Sequence, residues 1–532
     1  MNWLLSAIVF LPLVGGIVVM LLPERLTRWT ATIFTLGVFA LSLWLYIGLL
    51  INGSSFGTVA NPAWKESYDW INITVGSFHF QLRYELGTDG LSMPMIILNG
   101  LLSFLAVVSS WHIEKRIKFY MAMILVLEFG VMGVFAAFDL FLFFLFWEVE
   151  LIPMFLLIGI WGGARREYAA WKFLIYTFTA SAFTLAGIFL LYFQTGAVSG
   201  AFEYLSSQIA QSKVVGTLPF FGAAVSLPLV IFLFLFVAFA VKLPMWPVHT
   251  WLPDAHTEAP TAVSVLLAGV LLKMGAYGLI RICLGFVPIG ATEFATTLGI
   301  FAAINVLWGA GASMVQQDMK KMIAYSSVSH MGYVLLGVAG AAAAAGAFGA
   351  GTASAANLQQ FREAALTGAA LQMFTHGTIT GMLFFCVGVL YDKAHIRDID
   401  AFGGIAKRMP ILVVLYSIAC FAALGLPGLS GFVSEYLVFT GTFALLPVQT
   451  ILCAFGVVLT AGYLLWMLRR SFFGPLNMKW SSLTDATALQ AFPLIALAVV
   501  IFLVGIFPGP IMNVLGPSLH YMVVSMQQVV AP

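Results

Sequence analysis

Long apolar runs separated by short polar stretches dominate the chain, as in residues 140–160, where two glutamates interrupt an otherwise hydrophobic segment. About 20 consecutive apolar residues are needed for a helix to cross the hydrocarbon core of a bilayer. That window picks out fourteen candidate spans: 3–22, 30–51, 90–110, 119–137, 140–160, 168–194, 226–246, 260–284, 293–315, 321–341, 364–390, 410–445, 449–468 and 490–510. Strands of a membrane barrel would alternate apolar and polar residues over about 10 positions, and these runs do not. The expected fold class is therefore all-α, a polytopic membrane protein. Trp3–Leu22 reads as the first span rather than a signal peptide, because no basic segment precedes it and no small-residue cleavage site follows Leu22-Pro23-Glu24.

Between the second and third spans, residues 52–89 alternate at Ile71-Asn72-Ile73-Thr74-Val75 and again from Phe78 to Tyr84, which predicts a small extramembrane hairpin. Residues 196–218 read as a polar connection, and the Ala/Gly-rich stretch 339–357 as a flexible loop extending the tenth span.

Composition narrows the class. Of 532 residues, 61% are hydrophobic and 9% charged, with 24 Lys plus Arg against 22 Asp plus Glu, a net charge of +2. So few charges cannot cover a soluble surface of this size, and no basic stripe exists to bind nucleic acid. Cys283, Cys386, Cys420 and Cys453 lie singly in apolar stretches without CxxC or CxxH pairing, so they read as small core residues and no redox centre is expected.

Basic residues also set the orientation. Arg25, Arg28, Lys115, Arg116, Lys118, Arg165, Arg166, Lys320, Lys321, Lys393, Arg397, Lys407, Arg408, Arg469, Arg470 and Lys479 fall on one side of the fourteen-span map. Only Lys65, Arg83, Lys213, Arg281 and Arg362 fall on the other. The richer side is assigned to the cytoplasm or its organellar equivalent, with both termini on the opposite face.

Charges inside the spans carry the functional signal, because each costs about 2.5–3.5 kcal/mol at the bilayer centre even on a lenient scale. They are Glu128, Glu148, Glu150, Lys172, Lys242, Lys273 and Glu435, joined by His330 and His376. Singly, such a residue reads as a static ion pair or a snorkelling side chain, and Lys172, near the start of its helix, fits that reading as well as a functional one. Spread over many helices, carboxylates, lysines and histidines are what a proton relay through a membrane requires. Glu148 and Glu150, two positions apart on an ideal helix, are expected to face different partners.

Proline interrupts the seventh span in Lys242-Leu243-Pro244-Met245-Trp246-Pro247, and the twelfth in Leu424-Gly425-Leu426-Pro427-Gly428-Leu429, shortly before Glu435. Broken helices at membrane depth are tolerated beside protein or water-filled cavities, and a matched pair points to an inverted-repeat transporter. His249, Asp254 and His256 invite a metal reading, but the spacing fits neither HxxxH nor HExxH, so a helix-linking loop lined with polar groups is preferred and no metal is expected. His330, among the hydroxyls of Tyr325-Ser326-Ser327-Val328-Ser329, reads either as a satisfied core histidine or as part of a hydrated path.

The segments FLFFLFWEVELIPMFLLIGIWGG (141–163), AVKLPMWPVHTWLPDAHTEAPTAVSVLLAGVLLKMGAYGLIR (240–281), QDMKKMIAYSSVSHMG (317–332), MFTHG (373–377) and LGLPGLSGFVSEYLVF (424–439) resemble the antiporter-like membrane subunits of respiratory complex I. The resemblance covers roughly residues 85–470. It implies two inverted five-helix repeats with discontinuous helices 7 and 12. The chain then divides into N-terminal helices 1–118, a first half 119–284, a second half 293–468, and a C-terminal helix with its tail at 469–532.

By the same resemblance, Glu148 is the key carboxylate paired with Lys242, Lys273 the central relay lysine, His330 and His376 relay positions, and Glu435 the terminal acid. L-like and N-like branches of the family usually carry a lysine at that last place. About 20 residues follow the last span, too few for the long lateral helix of the L-like branch. The implied function is proton translocation coupled to quinone reduction, with NADH or ferredoxin as donor to the whole complex and no cofactor bound by this chain. Implied partners are L-like and N-like antiporter subunits, small membrane subunits and a redox peripheral arm, in a bacterial cytoplasmic, thylakoid or organellar inner membrane. A subunit of a sodium–proton antiporter or of a membrane-bound hydrogenase is the alternative.

Overall fold

The computed structural model describes residues 3–51, 56–75, 78–195, 199–211, 214–220, 223–343 and 355–530. Twelve helices among them are long and apolar enough to cross a membrane: Leu4–Leu21, Glu24–Ile51, Ser92–Ser109, Ile117–Ala136, Leu140–Trp161, Arg166–Gln194, Thr261–Leu284, Pro288–Met314, Met319–Ala342, Asn357–Ala394, Pro447–Ser471 and Ala488–Ile506. The seventh and twelfth spans are each split in two. Leu227–Lys242 is followed by Trp251–Glu258, and Pro410–Ala423 by Ser430–Phe443. The chain is an integral, multi-pass membrane protein.

The most apolar 18 residues of the eighth and of the eleventh span are wholly buried, and those of the tenth nearly so. The first, second, sixth, thirteenth and fourteenth spans bury less than half of the corresponding stretch and form the outer belt. The buried eighth, tenth and eleventh spans carry Lys273, Lys320, His330 and His376 among their buried side chains.

Elements outside the spans act as clamps. The expected hairpin is present and longer than its alternating core: Trp64–Val75 pairs antiparallel with Phe78–Thr88. Its Glu66 takes over the capping of the first span, since Trp3 at the helix N-terminus offers no side-chain cap. The Glu66 carboxylate accepts the Leu5 amide at 2.8 Å and the Ser6 amide at 3.2 Å, satisfying donors that a helix start leaves orphaned.

Several expectations need correction. The stretch 196–218 is more than a polar connection: it contains the helix Phe202–Ala210, whose Phe202, Leu205 and Ile209 are buried, and the first residues of a second hairpin, Thr217–Phe220 with Ala223–Ser226. The tail is helical too, over Gly509–Val530, and packs on the ninth and eleventh spans through a face of Val514, Leu515, Leu519 and Met522. The Ser518 hydroxyl accepts the Gly90 amide and donates to the Gly57 carbonyl, each at 2.8 Å. Of the Ala/Gly stretch, residues 339–342 end the tenth span, 355–357 begin the eleventh helix, and 344–354 lie outside the described residues. Lys213 also lies outside them.

Arg281 and Lys320, counted from sequence as loop charges, are both buried. Arg281 pairs with Asp89 at 2.5 Å, and Lys320 donates to the Ala259 carbonyl at 2.6 Å.

Candidate functional site

The broken spans are stabilised by replacing the hydrogen bonds that proline removes. At the seventh, the Met245 amide reaches the Ala240 carbonyl at 2.8 Å, the Trp251 indole donates to the Val241 carbonyl at 2.9 Å, and Asn305 on the ninth span accepts the Trp246 amide at 2.7 Å. These three groups at the break are thus met by protein, as burial in a membrane demands. Lys242 ends the first half of this span and is 1% exposed.

Lys242 contacts Glu150 through its ammonium. The direct partner is therefore Glu150 rather than Glu148. The fifth span is two helices, Leu140–Val149 and Leu151–Trp161, with Glu150 at the joint and its amide bonded to the Glu148 carbonyl. Glu150 keeps helical backbone angles (φ −72°, ψ −19°) and presents its carboxylate to Lys242, while Glu148, half-buried, keeps Lys242 and Ser181 as its polar neighbours.

Lys273 sits in the eighth span between two π-helical stretches, Leu267–Leu271 and Leu279–Leu284. Such stretches disrupt the usual backbone ladder; here the Ala268 carbonyl accepts from Lys273 Nζ at 2.5 Å. The same ammonium lies 2.7 Å from His376 Nδ1 on the eleventh span. Close packing places the two lysine-bearing spans together: a Cβ on Gly275 would come within 2.6 Å of the Leu243 amide nitrogen.

From His376 the polar groups continue. Its ring centroid is 5.6 Å from that of His330 on the tenth span, and His330 Nδ1 is 3.8 Å from Glu435 Oε1 on the second half of the twelfth. All four residues are at most 5% exposed. Gly425, at the break in the twelfth span, has φ +76° and would place a Cβ 2.7 Å from Glu435 Oε2, so the break itself forms one wall of the carboxylate's seat. Around this line lie polar groups that sequence reasoning missed: Gln372 and Ser434, which are hydrogen-bonded to each other, with Thr375 at 2.9 Å from Ser434, and Tyr463, which donates at 2.7 Å to Ser326, one of the hydroxyls noted beside His330. Their signal was weak, because single hydroxyls and amides in apolar helices are common.

The remaining candidates separate. Glu128 is buried on the fourth span with neither carboxylate oxygen hydrogen-bonded, apart from the line just described. Lys172 and Asp254 form a partly exposed pair at 2.7 Å. His249 accepts from the Trp308 indole at 3.3 Å. His256 is fully buried, stacked on Phe384 with ring centroids 4.6 Å apart, and both its ring nitrogens lack hydrogen-bond partners. It lies within electrostatic reach of Lys273 and Lys320. Among the described residues, no three His, Cys, Asp or Glu side chains are grouped as metal ligands.

Lysine, histidine and carboxylate side chains within hydrogen-bond or one-water distance, in a dry interior, can hold and pass protons. Known proteins carry the same architecture. The family profile described as "NADH:quinone oxidoreductase/Mrp antiporter, TM" matches residues 137–460. NADH-quinone oxidoreductase subunit M of Rhodobacter capsulatus is 40% identical, aligned over 98% of this chain and 97% of that protein. NAD(P)H-quinone oxidoreductase chain 4 2 of Microcystis aeruginosa is 39% identical over 88% of this chain and 79% of its own length. Among solved structures, a chain of respiratory complex I from Thermus thermophilus with bound NADH superposes with TM-score 0.82 and 26% identity, covering 99% of this chain and all of that one. A chain of the archaeal membrane-bound sulfane sulfur reductase shares the fold, with TM-score 0.75, 24% identity, and 94% and 76% of the two chains covered. The chain belongs to the NADH:quinone oxidoreductase/Mrp antiporter membrane family and, within it, to the antiporter-like subunit M (chain 4) group of NADH-quinone oxidoreductase membrane subunits.

Proposed function

We propose that the chain moves protons through a buried relay in which Lys242 and Lys273 hold the proton, His376 and His330 carry it onward, and Glu435 releases it. The observation that supports this most is the continuous line Lys273–His376–His330–Glu435, whose contacts run from 2.7 Å to 3.8 Å apart from one histidine-to-histidine step at 5.6 Å between ring centroids. A single water spans such a gap. Glu148 and Glu150 act on the first lysine: an ionised carboxylate nearby favours the ammonium, and losing that charge favours proton release. His256, between the surroundings of Lys320 and Lys273, is a further station of the same path.

In this reading the two five-helix halves, 119–284 and 293–468, are inverted repeats, each contributing one broken helix to the path. Both termini face away from the cytoplasm. Electrons from NADH or ferredoxin reach quinone in a redox arm carried by other subunits, and the L-like, N-like and small membrane subunits flank this one. The chain supplies the proton path and not the electron path.

Membrane vesicles carrying Glu435→Gln in the assembled complex provide the test. Pumping driven by the electron donor should collapse while the complex persists on a native gel. Pumping equal to wild type would overturn the relay, and sodium-dependent exchange without any donor would instead assign an antiporter function.

A further inference from the structure

No hydrogen bond holds the His330 ring, since neither of its nitrogens has a partner among the described residues. Its two steps along the line are 5.6 Å between ring centroids to His376 and 3.8 Å from Nδ1 to Glu435. Both are therefore set by where the tenth span places its backbone. That backbone is fixed against the ninth span on either side of His330. The Ser329 hydroxyl donates to the Val306 carbonyl at 2.9 Å, and a Cβ on Gly309 would come within 2.5 Å of the Ser329 amide nitrogen. Beyond the histidine, a Cβ on Gly332 would come within 2.9 Å of the Val306 amide nitrogen. Asn305, fully buried, completes the seam by donating through Nδ2 to the Val328 carbonyl at 2.8 Å.

The other end of the same side chain faces the break in the seventh span. Asn305 Oδ1 accepts the Trp246 amide at 2.7 Å, the amide that an unbroken helix would direct to the Lys242 carbonyl. One turn along the ninth span, the Trp308 indole donates to His249 at 3.3 Å, just past the break. A backbone amide can only donate and a carbonyl can only accept, so these two partners fix which way the Asn305 amide points. A carboxylate or an aliphatic side chain of the same size cannot serve both. Resting on the relay reading above, we infer that Asn305 is a positioning residue. It ties the break beside Lys242 to the stretch of the tenth span that carries His330, and so sets the two longest steps of the proton line. It handles no proton itself. Without it, the Trp246 amide loses its partner in a dry interior, a cost that movement of the break relieves.

The test measures protons pumped per electron by the assembled complex in vesicles, for wild type, Asn305→Leu, Asn305→Asp and Glu435→Gln, with the amount of complex read on a native gel. Leucine is close to asparagine in shape and makes neither hydrogen bond, so its ratio is expected to fall about twofold or more. Aspartate gives a readout that packing alone would not move. Protonated, it can accept from Trp246 and donate to Val328; ionised, it can only accept. Measured against wild type at the same pH, its ratio is expected to stand higher at about pH 6 than at about pH 8. Less complex with an unchanged ratio per complex in both Asn305 variants would mark a side chain that only fills space, and overturns the proposal. A wild-type ratio in Asn305→Leu beside a lowered one in Glu435→Gln overturns the positioning role and leaves the relay standing. Wild-type ratios in both overturn the two together. Should Asn305→Leu not assemble, the aspartate variant decides alone, and a ratio that tracks wild type at both pH values overturns the proposal.

Discussion

The ammonium of Lys273 and the Nδ1 nitrogen of His376 stand 2.7 Å apart, joining the eighth span to the eleventh in a region with no exposed surface. A charged lysine can only donate in this contact, so Nδ1 accepts and the ring carries its proton on Nε2, which has no partner among the described residues. The ring therefore keeps an uncommitted N–H, with the His330 ring 5.6 Å away between centroids. Replacing His376 by Gln keeps a polar side chain of similar size but removes the two-sided exchange an imidazole provides. Pumping by the assembled complex should fall to a small fraction of wild type, with assembly on a native gel little changed.

Gly425 constrains the far end of the line. A side chain there meets both an unfavourable positive φ, worth roughly 1–2 kcal/mol, and the Glu435 carboxylate at 2.7 Å. Gly425→Ala is expected to displace Glu435 and to lower pumping more than it lowers the amount of complex. Equal losses of both would mean that the break is a packing kink.

Arg281 and Asp89 tie the second π-helical stretch of the eighth span to the start of the third, both 1% exposed or less. Removing one partner of such a pair leaves a buried charge alone, at a cost of about 3–5 kcal/mol. Arg281→Met should lower the thermal midpoint of the detergent-purified complex strongly. The double variant Arg281→Met with Asp89→Asn should recover much of the loss, since asparagine can still accept the amides of Leu91 and Ser92 that Asp89 now binds at 3.1 Å and 3.0 Å.

Asp139, capping the fifth span just outside it, gives a pH signature. Burial pushes its carboxyl from 3.8 up to about 7, against the lowering effect of the Leu142 and Phe141 amides. Between those two values the unfolded chain gives up the proton while the folded one keeps it. The folded state then binds more protons, and stability falls as pH rises through the window. Asp139→Asn, which can still cap the helix, should flatten that slope. Thermal midpoints at about pH 5 and about pH 7 read it out, with the decline smaller in the variant than in wild type.

The spans were legible because burial in lipid demands long apolar helices, and the two breaks because proline leaves few alternatives. The helices Phe202–Ala210 and Gly509–Val530 were not, since short or amphipathic segments lying on a bundle carry no length signal. Arg281 was misplaced because a charge near the end of an apolar run looks like a loop residue, and Asp89, its partner, is 192 residues away. The identities of the intramembrane charges were visible, but their pairing was not. Glu150 meets Lys242 across 92 residues of sequence, and no hydropathy pattern encodes which of two neighbouring carboxylates a distant lysine meets.

Lys273 is the centre of the account, touching His376 and lying beside the end of the first broken span. Lys273→Met replaces it with an apolar side chain of similar length, which a dry interior accommodates. Protons pumped per electron, measured in vesicles containing the assembled variant complex, should drop well below wild type while electron transfer to quinone remains measurable. An unchanged ratio in fully assembled complex would contradict the relay.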